Sequence, residues 1–238
     1  MMAKLKTVLF DLDGTLLPMD QEKFTSVYFS ALAKKLAPHG YEPDALIKAV
    51  WEGTGAMVKN DGSCTNEEAF WRTFCARMGE TAREKEPVFE DFYKNEFQAA
   101  AGVCGFTEEA AKTVALCRTL GLGTVLATNP LFPAIATQSR IRWAGLSPDD
   151  FALYTTYETS HFCKPNVDYY REILEKLGCR ADECVMVGND AVEDLAAAEL
   201  GMRVFLLTPC LIGRGRDISD IPHGGFAELQ DFLCAQAE

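Results

Sequence analysis

The spacing of hydrophobic positions changes character near residue 100. Upstream, Phe24, Val27, Tyr28, Ala31, Leu32 and Leu36 recur at helical spacing, and Pro38-His39-Gly40 ends that segment. A second helix is predicted from Pro43 through Leu46, Ile47, Val50 and Trp51, with Gly53-Thr54-Gly55 and Lys59-Asn60-Asp61-Gly62 as loops. Thr65 and Glu68 have the spacing of a capping box and open a third helix through Phe70, Trp71, Phe74 and Met78. A fourth is predicted over 86–100. From residue 103, helices alternate with short apolar runs at 124–127, 151–154, 183–187 and 203–207. The helices are predicted at 107–120, 133–144, 165–177 and 191–200. With the run Val8-Leu9-Phe10 at the start, this βα alternation predicts an α/β fold, a doubly wound parallel sheet covered on both faces. The all-helical stretch 18–102 reads as an insertion into a core made of 1–17 and 103–238.

The strand ends carry the candidate chemistry. Val8-Leu9-Phe10 runs directly into Asp11, and Asp13 follows one side-chain period later, placing two carboxylates on one face. Like charges that close repel unless a cation or an exchangeable proton sits between them. An EF-hand calcium loop counted from Asp11 fails, since its glycine position holds Leu16 and its fifth position only Thr15. In open parallel sheets, sites lie beyond the carboxyl ends of the strands. Thr128 and Asn129 follow the second strand, Lys164 the loop after the third, and Gly188-Asn189-Asp190 the fourth, with Asp194 further on. A hydroxyl, an ammonium and several carboxylates therefore converge on one rim.

Composition narrows the partners. The 238 residues are 48% hydrophobic and 24% charged, with a formal net charge of −12. That charge argues against nucleic acid or an anionic membrane as partner, because both need a basic face. A small phosphorylated metabolite stays compatible if local cations reverse the field. The nine cysteines form no Cys-x-x-Cys pair and there are only three histidines, so a zinc cluster is not expected. No signal-peptide core or membrane-length apolar run is evident, which predicts a cytoplasmic protein with reduced thiols. A monomer or weak homodimer is expected.

With these motifs in order (Asp11-Leu-Asp-Gly-Thr15, Thr128-Asn129, Lys164-Pro165 and Gly188-Asn-Asp-Ala-Val-Glu-Asp194), the chain resembles the haloacid dehalogenase superfamily of hydrolases with a helical cap. The resemblance implies a Rossmann-like core and a phosphomonoester hydrolase. Asp11 would be the nucleophile and Asp13 the general acid and base. Thr128, with Asn129 beside it, and Lys164 would hold the phosphoryl group. It also implies Mg²⁺ at a site drawn from Asp11, Asp13 through its carbonyl, Asp190, Asn189 and Asp194. The family most often has Asp where this chain has Asn189; Asp190 is preferred as ligand because a carboxylate binds Mg²⁺ better than an amide. Asp194 is expected to orient Lys164 or a metal-bound water. A carbon–halogen hydrolase would lack Asp13. A phosphosugar mutase, a phosphonate hydrolase using Lys59 and a non-catalytic phosphate-binding module remain alternatives. In the cap, Lys59, Asn60 and Asp61, with Met19 and Asp20, are the candidate substrate contacts. Trp51, Phe70, Trp71 and Phe74 are expected to form cap core, and His161 and Cys163 to be loop residues.

Overall fold

The computed structural model describes residues 3–237. Strand β1 (Thr7–Phe10) is followed by four helices: α1 (Gln21–Leu36), α2 (Pro43–Val58), α3 (Asn66–Met78) and α4 (Glu86–Lys94). Helix α5 (Glu108–Thr119) leads into β2 (Gly123–Leu126), α6 (Ala134–Trp143) and α7 (Val167–Leu177). Strands β3 (Cys184–Gly188), β4 (Arg203–Leu207) and the short β5 (His223–Gly224) precede α8 (Phe226–Ala237). The sheet order is β2-β1-β3-β4-β5 and every pairing is parallel. This is an α/β Rossmann-like fold. Because β2 lies on one side of β1 and β3 on the other, the strand order reverses at β1 and opens a crevice at the carboxyl ends. Phe10 is registered against both Leu126 and Val187, so the residues that follow these strands start at one level.

Alternation in β1 divides the interior. Val8 and Phe10 pack in one apolar cluster and Leu9 in another, as expected for side chains pointing to opposite faces. The first cluster runs without a break into the inserted helices, through Phe24, Leu32, Leu46, Phe74 and Phe92. The Thr65–Glu68 capping box at α3 is formed, each residue accepting from the other's backbone N–H at 3.2 Å. No helix among the described residues is long and apolar enough to cross a membrane.

Several elements differ from the sequence expectation. Gly53-Thr54-Gly55 is no loop: α2 continues through it. A Cβ at Gly53 would overlap the Phe70 ring, so the glycine lets α2 and α3 approach closely. The helix expected over 86–100 breaks at Asn95, whose side chain takes the Asp91 carbonyl and carboxylate as partners, and resumes as a 3₁₀ segment, Glu96–Val103. Residues 151–154 form no regular strand. Ala152 and Leu153 exchange backbone hydrogen bonds with β2 at 2.9 Å, but only Leu126 and Tyr154 form a bridge. The Thr155 hydroxyl then donates to the Thr128 carbonyl at 2.6 Å and turns the chain inward. The helix expected over 191–200 reduces to the 3₁₀ turn Leu195–Leu200, because the Asp190 carboxylate captures the N–H groups of Val192 and Glu193 at 2.8 and 3.0 Å. Pro165 does not open α7; Asn166 caps it, accepting from Asp168 N–H at 2.9 Å. Strand β5 and helix α8 lie where the hydrophobic pattern predicts no element.

Candidate active site

β1 ends by delivering Asp11 into the crevice with its backbone N–H still bonded to the Val187 carbonyl at 2.8 Å. The chain then reverses at Gly14, whose φ of 85° is a left-handed conformation open to glycine. A Cβ at that position would also overlap the Asn189 amide. Thr15 follows, its hydroxyl 3.2 Å from Asp11 Oδ2 and 3.0 Å from Asn189 Oδ1. The Asn189 amide itself donates to the Cys210 carbonyl at 2.8 Å. The Asn189 side chain is thus a brace between two loops.

Lys164 occupies the centre. Its Nζ lies 2.9 Å from Asp11 Oδ1 and 2.7 Å from Asp194 Oδ1, and all three side chains are buried. The other Asp194 oxygen accepts the N–H groups of Asn189 and Asp190, both at 2.9 Å. Gly188 makes this possible, since a Cβ there would overlap the Asp194 carboxylate. Asp194 therefore positions Lys164 and the turn after β3. The Asp11 carboxyl is pushed up to about 7, chiefly by burial, which together with Asp194 and Asp13 outweighs the downward pull of Lys164. Burial opposes the Lys164 charge, but Asp11 and Asp194 outweigh it and hold the ammonium well above its ordinary value.

Two arginines pair with acids of the rim, and no local motif points to either. Arg140 of α6 is fully buried, pairs with Asp13 Oδ2 and lies 4.5 Å over the Phe132 ring. The second Asp13 oxygen, Oδ1, is buried without a hydrogen-bond partner. Arg214, from the loop after β4, clamps Asp190 with Nε 3.0 and 2.8 Å from its two oxygens and a terminal nitrogen at 2.6 Å. Burial by itself would raise the Asp190 carboxyl, but Arg214 and the N–H groups of Glu193 and Val192 hold it below its ordinary value.

Asp11, Asp13, Thr128, Asn129, Lys164 and Asp190 line one cavity of about 380 Å³, together with Asn189 and Asp194. Thr128 is buried and its carbonyl is fixed by the hydroxyls of Thr155 and Tyr169, at 2.6 and 2.8 Å. Asn129 Nδ2 donates to Glu193 at 3.1 Å. Gln21, Phe132, Glu193 and Arg214 also line the cavity, beyond the residues expected there. The cap candidates stand elsewhere. Lys59 borders a separate surface depression with Asp44 and Trp51. Asn60 spends its amide on the Cys64 carbonyl and Asn66 Oδ1, at 2.8 and 2.9 Å, and Asp61 accepts from Ser63 N–H. Neither Lys59 nor Asn60 lines the cavity; Asn60 instead holds Asn66, whose amide donates to the Pro130 and Phe162 carbonyls at 3.4 and 3.3 Å. Asp20 caps α1 through Lys23 N–H, whereas Met19 lines a second, aromatic cavity next to the first. His161 bonds Glu172 at 2.9 Å, and burial pushes the Cys163 thiol up to about 12. They form no pair. Trp71 and Phe74 are buried as expected, but Trp51 is 53% exposed and also borders the aromatic cavity.

As the side chains stand, no three His, Cys, Asp or Glu among the described residues are grouped to hold a metal. Two protein cations, Lys164 and Arg214, take the places beside Asp11 and Asp190. The donor set nevertheless suits a hard cation. It consists of oxygen ligands on one cavity wall, with the orphaned Asp13 Oδ1 among them.

The family model of the haloacid dehalogenase-like hydrolases matches residues 5–201. A phosphoglycolate phosphatase from Agrobacterium fabrum is 27% identical over 191 residues, covering 80% of this chain and 74% of that protein. Among solved structures, a 2-haloacid dehalogenase from Pseudomonas syringae pv. Tomato superposes with a TM-score of 0.63 at 20% identity, covering 97% of this chain and 99% of that one. A phosphatase of the same superfamily from Thermococcus onnurineus gives 0.58 at 20% identity, covering 96% and 98%. At such identities the structural likenesses speak for the fold. The family match spans most of the chain, including every strand-end residue described above except Arg214, and on that ground the chain belongs to the haloacid dehalogenase-like hydrolases.

Proposed function

We propose that this hydrolase is a Mg²⁺-dependent phosphatase that cleaves a small phosphomonoester through an aspartyl-phosphate at Asp11. The observation that carries the reading is the shared cavity of Asp11, Asp13, Thr128 and Lys164, with one Asp13 oxygen unpartnered beside the buried Asp11. An Asp11 oxygen attacks phosphorus as the bond to the ester oxygen breaks. Asp13, held at Oδ2 by Arg140, passes a proton from Oδ1 to the departing oxygen. Asp13 then takes a proton from the water that attacks the phosphoaspartate, which regenerates Asp11 and releases phosphate. Lys164 and the Thr128 hydroxyl hold the non-bridging oxygens and reduce the repulsion between two anions. Asp11, the Asp13 carbonyl and Asp190 would hold Mg²⁺, whose charge would stabilise the transferring phosphoryl group.

Asp13 also separates this reading from carbon–halogen hydrolysis, which needs no group to protonate a leaving oxygen. The phosphatase name of the Agrobacterium relative supports the same direction. We place the enzyme in the cytoplasm, as a monomer or weak homodimer acting on a small metabolite, in keeping with its net charge of −12 and its free cysteines. Phosphate release from a panel of phosphomonoesters, with and without Mg²⁺, tests the proposal. Turnover is expected to require Mg²⁺ and to drop at least about a thousandfold in Asp11→Asn. Turnover that survives the substitution, or none on any ester, would overturn it.

A further inference from the structure

Beside the catalytic cavity lies a second one of about 260 Å³, between the inserted helices and the core. The two share Asp13, Gln21, Leu131 and Phe132 as walls. They therefore meet at the side chain assigned to protonate the departing oxygen, and a group carried on that oxygen has this second cavity in front of it. Its walls are aromatic, with Phe24, Tyr28, Phe29, Trp51, Trp71 and Tyr93 prominent among them.

Part of the polar surface in these walls is already engaged, whereas Trp71 Nε1 is buried without a hydrogen-bond partner. The Tyr28 and Tyr93 hydroxyls bond each other at 3.1 Å, and the Thr54 hydroxyl donates to the Val50 carbonyl at 2.9 Å. Asp13 is the one charged residue among the lining, and it is paired with Arg140. Among the described residues, no Lys, Arg or His lines the cavity. A carboxylate drawn into it would lose hydration and meet no cation, at best a neutral N–H or O–H donor, which is costly. A quaternary ammonium would find ring faces but no free carboxylate to neutralise it, and the Arg140 guanidinium, a like charge, already covers a face of Phe132. A neutral ring meets favourable terms. Phe132 stands nearly perpendicular to Tyr28 and Phe24, with centroids 5.6 and 6.2 Å away, the edge-to-face arrangement that aromatic quadrupoles prefer and that a further ring can extend. Sites for small ligands run from about 300 Å³ upward, so a cavity of this size suits a single ring with little decoration.

Resting on the phosphatase reading above, we propose that the substrates are phosphomonoesters of neutral alcohols bearing one aromatic or similarly flat apolar group, which this cavity receives. The class differs from the small acid in the name of the Agrobacterium relative, for whose charge the cavity lining supplies no cation. The enzyme with Mg²⁺ is to be assayed on benzyl phosphate, ethyl phosphate, 2-phosphoglycolate and phosphocholine. Benzyl and ethyl phosphate release alcohols of similar acidity, so a difference between them reports binding rather than leaving ability. The kcat/KM for benzyl phosphate is expected to exceed each of the others by at least about tenfold, the discrimination an added apolar group gives in a hydrophobic pocket. Thr54→Trp, which fills the cavity from α2, is expected to bring benzyl and ethyl phosphate to near parity.

Equal or better turnover of 2-phosphoglycolate or phosphocholine would overturn the inference while leaving the phosphatase reading intact. So would a benzyl preference untouched by a folded Thr54→Trp protein. Titration of the wild type with non-hydrolysable benzylphosphonate needs neither turnover nor a variant. Two of the three tryptophans, Trp51 and Trp71, border the cavity, so saturable quenching that ethylphosphonate does not reproduce is expected. No quenching would overturn the inference. If no ester is hydrolysed but quenching saturates, the phosphatase reading fails and the apolar cavity stands.

Discussion

The cavity at the strand ends and the cavity under the cap share the Asp13 wall, yet their surroundings are opposite. The first is lined by carboxylates and cations from β1, the loop before α7, the turn after β3 and the loop after β4. Each is held by a partner far away in sequence: Lys164 reaches Asp11 across 153 residues and Arg140 reaches Asp13 across 127. The second is lined mainly by rings from the inserted helices, with the Tyr28 and Tyr93 hydroxyls bonded to each other. Buried charges are tolerable only as mutually compensated sets, so the first cavity is fixed by few interactions, each expensive to break. Aromatic walls are held by many weak contacts and tolerate change more gradually. One chain can therefore hold its reacting groups rigidly while the adjoining pocket is shaped by packing.

Lys164→Met breaks the contrast most severely. It leaves Asp11 and Asp194 buried without their shared cation, and a loss of about 3–5 kcal/mol in a urea unfolding curve is expected. A loss under about 1 kcal/mol would mean that the two carboxylates find other compensation. Gly53→Val tests the other side. Its side chain meets the Phe70 ring and forces α2 from α3, with an expected cost of about 1–3 kcal/mol. Mg²⁺ affinity should not change with it; a weaker metal site in calorimetry would show that the two cavities are not separable.

Arg214→Ala sharpens the description of the rim. Because the Arg214 side chain is 47% exposed, its pair with Asp190 is screened and worth no more than about 1 kcal/mol. Freeing Asp190 should tighten Mg²⁺ binding about fivefold, the equivalent of that energy, without altering benzylphosphonate quenching. Weaker Mg²⁺ binding would instead make Arg214 a support of the site rather than a competitor.

Glu172→Gln is the smallest change, at a residue that lines neither cavity. Burial by itself would raise the Glu172 carboxyl, but hydrogen bonds from Lys176 and His161 outweigh it and hold it below its ordinary value. A depressed folded-state value means that the stabilisation is present above the ordinary carboxylate range and lost as pH falls through the depressed value. The wild type should thus exceed Glu172→Gln by about half a kcal/mol at pH 7, a margin that vanishes toward pH 3 in thermal melts. A margin that grows on acidification would reverse the assigned sign.

The strands β1, β2, β3 and β4 were legible because buried parallel strands are short apolar runs, and the residues at their carboxyl ends are the next ones in the chain. Asp11, Asp13, Thr128 and Asp190 were read in that way, whereas Lys164 lies in a loop that follows no regular strand. Gly53-Thr54-Gly55 misled because glycine breaks an isolated helix, and only the nearby Phe70 ring explains its presence within α2. The turn after β3 misled for a related reason: the Asp190 carboxylate competes with helical hydrogen bonding for the same N–H groups.

Hydrophobic period and strand-end chemistry were set by the sequence alone, because burial and side-chain direction depend on spacing along one short segment. Tertiary structure decided which cation faces which acid, that Arg140 pairs with Asp13 and Arg214 joins the rim while Lys59 and Asn60 do not, and that rings scattered from Phe24 to Tyr157 enclose one cavity. Those outcomes depend on distances between segments far apart in the chain, which no local pattern encodes.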